Sequence, residues 1–108
     1  VGDGRRSDGS EVGQMNEGAL QSYFKNQTKK HKVFWRKIKF EGRRGCPDVL
    51  IAFDGRVIFV ELKNPNKKGR LSQLQIRQIQ HMRDAGLSVE IITDRDQVDD
   101  VIRKIIRT

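Results

Sequence analysis

The chain has 108 residues, 22 of them Lys or Arg against 14 Asp or Glu, a formal net charge of +8. That length suits one domain with a single core. No apolar run approaches the roughly 20 residues of a membrane helix, no secretory signal is visible, and Cys46, the only cysteine, excludes an intrachain disulfide. A soluble protein of a reducing, cytoplasmic compartment is the expectation, with no membrane partner.

Residues 1–13, "VGDGRRSDGSEVG", are Gly-rich and aperiodic, so they read as a flexible N-terminal arm, with one domain over 14–108. Met15, Ala19, Leu20, Tyr23 and Phe24 then recur at helical spacing and predict a helix over about 14–30. Glu17 borders its apolar face, and as a first-turn acid it is also what a helix dipole favours. "VFWRKIKF", 33–40, reads as a strand with Phe34, Ile38 and Phe40 on one face and Trp35, Lys37 and Lys39 on the other. An aromatic among lysines suits base stacking, but a half-buried tryptophan at a sheet edge is the plainer reading.

Two apolar runs, "DVLIAF" and "RVIFVEL", flank Asp54-Gly55. Asp-Gly between β-rich runs predicts a two-residue type I′ hairpin. Phe53 then pairs with Arg56, and stepping outward brings Asp48 opposite Glu61. Like charges so placed repel. Lys63 shares the Glu61 face by alternation, which gives a cluster of Asp48, Glu61 and Lys63 at one hairpin end. Both faces of the hairpin are apolar in the middle, so the sheet should be covered on both sides. A salt-bridged strand end explains any one of the three residues. Two opposed carboxylates at a partly enclosed sheet end fit better with a cation between them, Mg2+ or Mn2+ by their oxygen chemistry.

"NPNKKGR" is a polar loop. Ser72 and Gln75 form a capping box, Leu71 with Ile76 fits a hydrophobic staple, and Ile76, Ile79 and Met82 should face inward until Gly86 ends the helix. Gln75 is thus claimed both by the cap and by the nearby cluster. "LSVEIIT" gives a last strand, parallel to the Glu61 strand because a helix crosses over between them. A helix from about Asp94 follows, with Val98, Val101, Ile102 and Ile105 inward. The order is α-β-β-β-α-β-α, an α/β fold with a mixed sheet and helices on both faces. His31 and His81 lack zinc-site spacing and read as surface residues, and Cys46 reads as a buried thiol.

Charge is local. Residues 25–44 hold Lys25, Lys29, Lys30, Lys32, Arg36, Lys37, Lys39, Arg43 and Arg44 against Glu41 alone. Arg43 and Arg44 precede Asp48, while Lys67, Lys68 and Arg70 follow Lys63. In an antiparallel hairpin those segments leave from the same end, so basic residues should flank the carboxylates. Polyanionic nucleic acid is the partner this implies.

Pro47-Asp48 followed by Glu61-Leu62-Lys63 resembles the signature of the PD-(D/E)xK nuclease superfamily. With "GCPDVLI", "VELK", "LSQLQIRQIQHMRDAG" and "VEIIT", the chain resembles, over about residues 14–102, the virus-type replication-repair nuclease (VRR-NUC) family, in its small stand-alone phage and bacterial form. The resemblance implies a restriction-endonuclease-like αβββαβα core and a Mg2+- or Mn2+-dependent endonuclease acting on DNA in a bacterial or phage-infected cell. It implies that Asp48 and Glu61 bind metal with the Leu62 carbonyl, that Lys63 positions the attacking water, and that Glu17 and Gln75 support the site. A symmetric dimer acting on branched DNA, such as a four-way (Holliday) junction, is a further expectation. The alternatives are a non-catalytic basic DNA-binding module and a nuclease acting on RNA.

Overall fold

The computed structural model describes residues 16–63 and 70–107. The elements run α1 (Glu17–Lys30), β1 (Phe34–Lys37), β2 (Val49–Phe53), β3 (Arg56–Leu62), α2 (Gln73–Asp84), β4 (Val89–Ile92) and α3 (Arg95–Ile106), the expected order. One four-stranded sheet has the order β1-β2-β3-β4. β2 lies antiparallel to β1 and β3, and β4 is parallel to β3.

The hairpin register is as expected: Phe53 pairs with Arg56 and Val49 with Val60. Asp54 and Gly55 both have positive φ, 51° and 81°, as a type I′ turn requires. One sheet face carries Val49, Ile51, Ile58 and Val60, buried against Leu20 and Phe24 of α1 and Val98, Val101, Ile102 and Ile105 of α3. The other face is covered by α2, through Ile79 and Met82 with Val89, Phe59, Phe40 and Ile91. This second layer is thinner and leaves Val57 44% and Phe34 48% exposed.

Four local expectations change. The first helix begins at Glu17, not near 14, because the Asn16 side chain accepts the Ala19 N–H (2.8 Å) and caps it there; Met15 lies outside the described residues. The strand expected over 33–40 is regular only from Phe34 to Lys37. As expected, Trp35 is half-buried on this edge strand, edge-on to Phe24 with centroids 6.2 Å apart, while Phe34 is 48% exposed. In α2, Ile76 is 47% exposed, since the inward stripe runs through Gln75, Ile79 and Met82, positions four and three residues apart. Leu71 packs on the Ile79–Met82 cluster instead of stapling to an inward Ile76.

Helix ends follow the expected chemistry. Ser72 and Gln75 make the reciprocal capping box. The Gly86 N–H bonds the Arg83 carbonyl and the Leu87 N–H the Met82 carbonyl, a Schellman closure with Gly86 at φ 88°. Asp94 caps α3 by accepting the Gln97 N–H at 2.9 Å. No helix among the described residues is long and apolar enough to cross a membrane.

Candidate active site

The site forms where three strand ends and two helix starts meet. Buried Pro47 leads into Asp48, whose carbonyl accepts the Ile38 N–H at 2.8 Å, extending the β1–β2 ladder to the acid itself. Continuing the hairpin register one pair past Val49–Val60 sets Asp48 against Glu61. Glu61 lies in the interior strand β3, paired on its other side with Ile91 of β4. Lys63 follows directly, its backbone N–H bonded to the Ile92 carbonyl at 2.9 Å.

Glu61 is only 7% exposed. Burial, then the neighbouring Asp48 charge, push its carboxyl up from an ordinary 4.5 to about 7; Lys63 opposes the rise, Glu17 adds to it and Lys37 opposes it. Asp48 is held differently. Its Oδ2 accepts from Lys37 Nζ at 2.9 Å, and Lys37 also reaches Gln21 Oε1 of α1 at 3.3 Å. Asp48 Oδ1 is buried and has no hydrogen-bond partner among the described residues. A buried acceptor left unpaired costs about 1–3 kcal/mol.

Gln75 satisfies both of the demands made on it. Its Oε1 accepts from the Ser72 N–H (2.9 Å), completing the cap, and from Lys63 Nζ (3.2 Å). Its Nε2 donates to Glu61 Oε2 at 3.0 Å. One amide therefore ties α2 to the acid and the lysine of the motif. The stripe that turns Ile79 and Met82 inward aims Gln75 at the sheet end.

Glu17, in the first turn of α1, is exposed and acts on Glu61 through its charge. Among the described residues, no three or more His, Cys, Asp or Glu side chains gather closely enough to hold a metal, so the carboxylates present are the pair Asp48 and Glu61. Arg43, Arg44 and Arg70 are exposed; Lys67 and Lys68 lie outside the described residues. The Cys46 thiol is half-buried and pushed up by that burial, against a smaller lowering by Arg43. His31 and His81 are at the surface.

The residue missed by sequence reading is Lys37, taken only as one member of a basic run. Its signal lay in the β1–β2 register, which pairs Lys37 with Val49, next to Asp48.

The family model for the VRR-NUC domain matches residues 4–96. The chain belongs to the VRR-NUC family. A solved structure described as a VRR_NUC domain is 32% identical, with a TM-score of 0.72, and the match covers 81% of this chain and 94% of that one. No curated protein matches significantly. The VRR-NUC match reaches into residues 4–13, ahead of the boundary that composition suggested. Membership implies a nuclease of the PD-(D/E)xK type, and the mixed sheet between helices agrees with the restriction-endonuclease-like fold.

Proposed function

We propose that this VRR-NUC chain is a divalent-metal-dependent endonuclease that hydrolyses phosphodiester bonds in DNA, with Asp48, Glu61 and Lys63 at its catalytic centre. The observation that carries the reading is a buried Asp48 Oδ1, unpartnered among the described residues, beside a Glu61 carboxyl held up to about 7 by burial and by Asp48. Oxygen donors with a free buried acceptor fit Mg2+ or Mn2+. Asp48, Glu61 and the Leu62 carbonyl would hold the ion, with Glu17 at the margin. Bound there, a divalent cation supplies Lewis-acid polarisation of the phosphate and lowers the pKa of water.

The protein's own groups do the rest. Lys63 Nζ, held by Gln75 Oε1, is positioned to orient the attacking water and to stabilise negative charge building on the phosphate oxygens. Gln75 Nε2 fixes Glu61 Oε2 and so sets the orientation of the acid. Lys37 neutralises Asp48 Oδ2 and must yield or share that oxygen when a metal is held. Exposed Arg43, Arg44 and Arg70, with Lys67 and Lys68, supply the phosphate-binding surface around the site.

The deciding experiment is incubation with linear, flapped and four-way DNA and matched RNA, each with Mg2+, Mn2+ or chelator. Metal-dependent cleavage of DNA is expected. Cleavage of RNA alone would reassign the substrate, and no cleavage in either metal would leave a basic DNA-binding module.

Action on branched DNA as a symmetric dimer is the finer part of the proposal. The described residues of each chain carry one such opposed carboxylate pair, whereas resolving a four-way junction takes two nicks, and two-fold pairing is the commonest way to provide a second centre. Leu74 and Ile76 of α2, 37% and 47% exposed next to Gln75, are apolar residues available for that pairing. Phe24 is buried in the core and is not available for pairing, whereas Tyr23 and Trp35 are only partly buried against it. Light scattering reports the mass, and a supercoiled cruciform plasmid reports paired nicks; a monomer without junction preference would remove this part alone.

A further inference from the structure

A groove of about 380 Å3 runs along the outer side of β1, between that strand and the C-terminal half of α1. Lys25, Lys29, Phe34, Trp35 and Arg36 line it, and none of the described residues lining it is acidic. β1 is an edge strand of the sheet, paired among the described residues only with β2. Phe34 is 48% exposed, and the Arg36 guanidinium lies over its ring, 4.3 Å from the centroid. The Lys25 ammonium stands 5.3 Å from the centre of the Trp35 ring.

We propose that this groove is a second binding surface, for single-stranded nucleic acid, with Phe34 and the Arg36 guanidinium as its base-stacking platform and Lys25 and Lys29 as its phosphate contacts. It rests on the nuclease reading only in assigning the bound strand to the enzyme's substrate.

Three features favour that occupant. Exposed aromatic and guanidinium planes beside ammonium groups are the pair of features by which single strands are held without regard to sequence: stacking for bases, charge for backbone. A duplex keeps its bases stacked on each other and has no use for the Phe34 ring. Another β-strand suits the edge poorly, because β1 has four residues and Arg36 Nη1 already donates to the Trp35 carbonyl at 2.7 Å.

Position links the groove to the chemistry. β1 leads from Phe34 to Lys37, a rise of about 10 Å at the usual strand spacing, and Lys37 Nζ is bonded to Asp48 Oδ2. At the about 3.4 Å per nucleotide of a stacked strand, roughly three nucleotides span that distance, and fewer when the strand is stretched. A nuclease with such a surface holds an unpaired arm while the carboxylate pair faces the bond a few nucleotides away. Selectivity for flaps, gaps or junctions with melted arms is the consequence.

The test uses the full chain in chelator, where no cleavage is expected. Trp35 is the only tryptophan, so its fluorescence reports the groove directly. Short oligo-dT should change Trp35 emission, and a duplex of equal length should change it much less; an oligo-U arm tells which sugar is preferred. Phe34→Ala should weaken oligo-dT binding by roughly tenfold, the scale of one lost stack. Lys25→Gln with Lys29→Gln should lower the slope of log K against log salt by about 0.7 per contact. These three side chains are exposed, and circular dichroism checks each fold. Unchanged oligo-dT affinity in both variants, or losses no larger than those from Arg103→Gln with Lys104→Gln, would overturn the groove. So would a drop in molecular mass with Phe34→Ala and no loss of binding, which would make the edge a contact between copies. A failed cleavage assay with intact, Phe34-dependent oligo-dT binding would overturn the nuclease reading and leave the groove standing.

Discussion

The β2–β3 hairpin carries ionisable groups at both ends, and the two ends treat them differently. At the turn, Asp54 is exposed and lies 3.8 Å from the Arg56 guanidinium. Arg56 Nε and Nη2 both donate to the Ile105 carbonyl, at 2.9 and 2.6 Å, and tie the turn to the end of α3. Every charge there has a partner or water. At the other end two carboxylates oppose each other, the buried Glu61 carboxyl is pushed up to about 7, and a buried Asp48 oxygen has no partner among the described residues. The same strands therefore support a relaxed end and a frustrated one. On the proposed reading, a divalent ion would relieve this electrostatic frustration, which is what sets the frustrated end apart as the candidate site, whereas counting charges treats the two ends alike.

The sharpest way to break that comparison is substitution at each end. Asp48→Ala, Glu61→Ala and Lys63→Ala should each lower cleavage by roughly a hundredfold or more, whereas Asp54→Asn should leave it near the starting rate. Calorimetry should show weakened Mn2+ binding for the two acid variants and not for Lys63→Ala. DNA affinity in chelator should hold or rise slightly in the acid variants, because lost carboxylates no longer repel phosphate. Cleavage by Lys63→Ala at the normal rate would remove its role in orienting water.

pH probes the frustrated end without mutation. Metal and proton compete for the Glu61 carboxyl, which sits at about 7, so Mn2+ affinity should rise by about tenfold between pH 6 and 8 and then level. Stability of the metal-free protein should move the other way. The folded state holds the Glu61 proton more tightly than the unfolded chain, so the stabilisation is complete below about 4.5 and is lost as pH rises to about 7. Glu61→Gln should flatten both profiles, and an unchanged Mn2+ profile would show that the proton sits elsewhere.

Charge placement gives a smaller effect. Arg43→Gln with Arg44→Gln should weaken duplex binding more than Arg103→Gln with Lys104→Gln, and should lower the salt slope by about 0.9 per lost contact. The control pair is already engaged, Arg103 with Asp100 and Lys104 with Glu90. Equal effects in titrations across salt would mean that the net charge acts as a whole.

Much of this was legible because it depends on local rules. The Asp-Gly turn sets the register, the register opposes Asp48 to Glu61, and the Ser72–Gln75 spacing marks a helix start. What was not legible depends on how far one element reaches across another. Ile76 reads as inward-facing from periodicity, yet α2 turns Gln75 inward in its place, and its cover of the sheet face stops short of Phe34. Lys37 escaped for the same reason, since its grip on Asp48 comes from a neighbouring strand. Gln75 was readable as a cap or as a site residue, and only the fold shows one amide bonded to Ser72, Lys63 and Glu61.

That shared amide permits the finest test, because Ser72 and Gln75 belong to the same cap but only Gln75 touches the site. Ser72→Ala removes the acceptor for the Gln75 N–H, 3.1 Å away, and should cost about 1 kcal/mol of stability with cleavage little changed. Gln75→Ala should cost a similar amount of stability, since it removes the other half of the box. It should also lower activity or Mn2+ affinity by about tenfold, the low end for groups that orient a ligand carboxylate. Thermal melts measure the first quantity, and single-turnover cleavage with saturating Mn2+ the second. If Gln75 acts only as a cap, the two variants will match in both measurements. If it also holds Glu61 and Lys63, their melting temperatures will agree while their cleavage rates separate, and that separation measures how much the frustrated end depends on a helix start that its chemistry does not require.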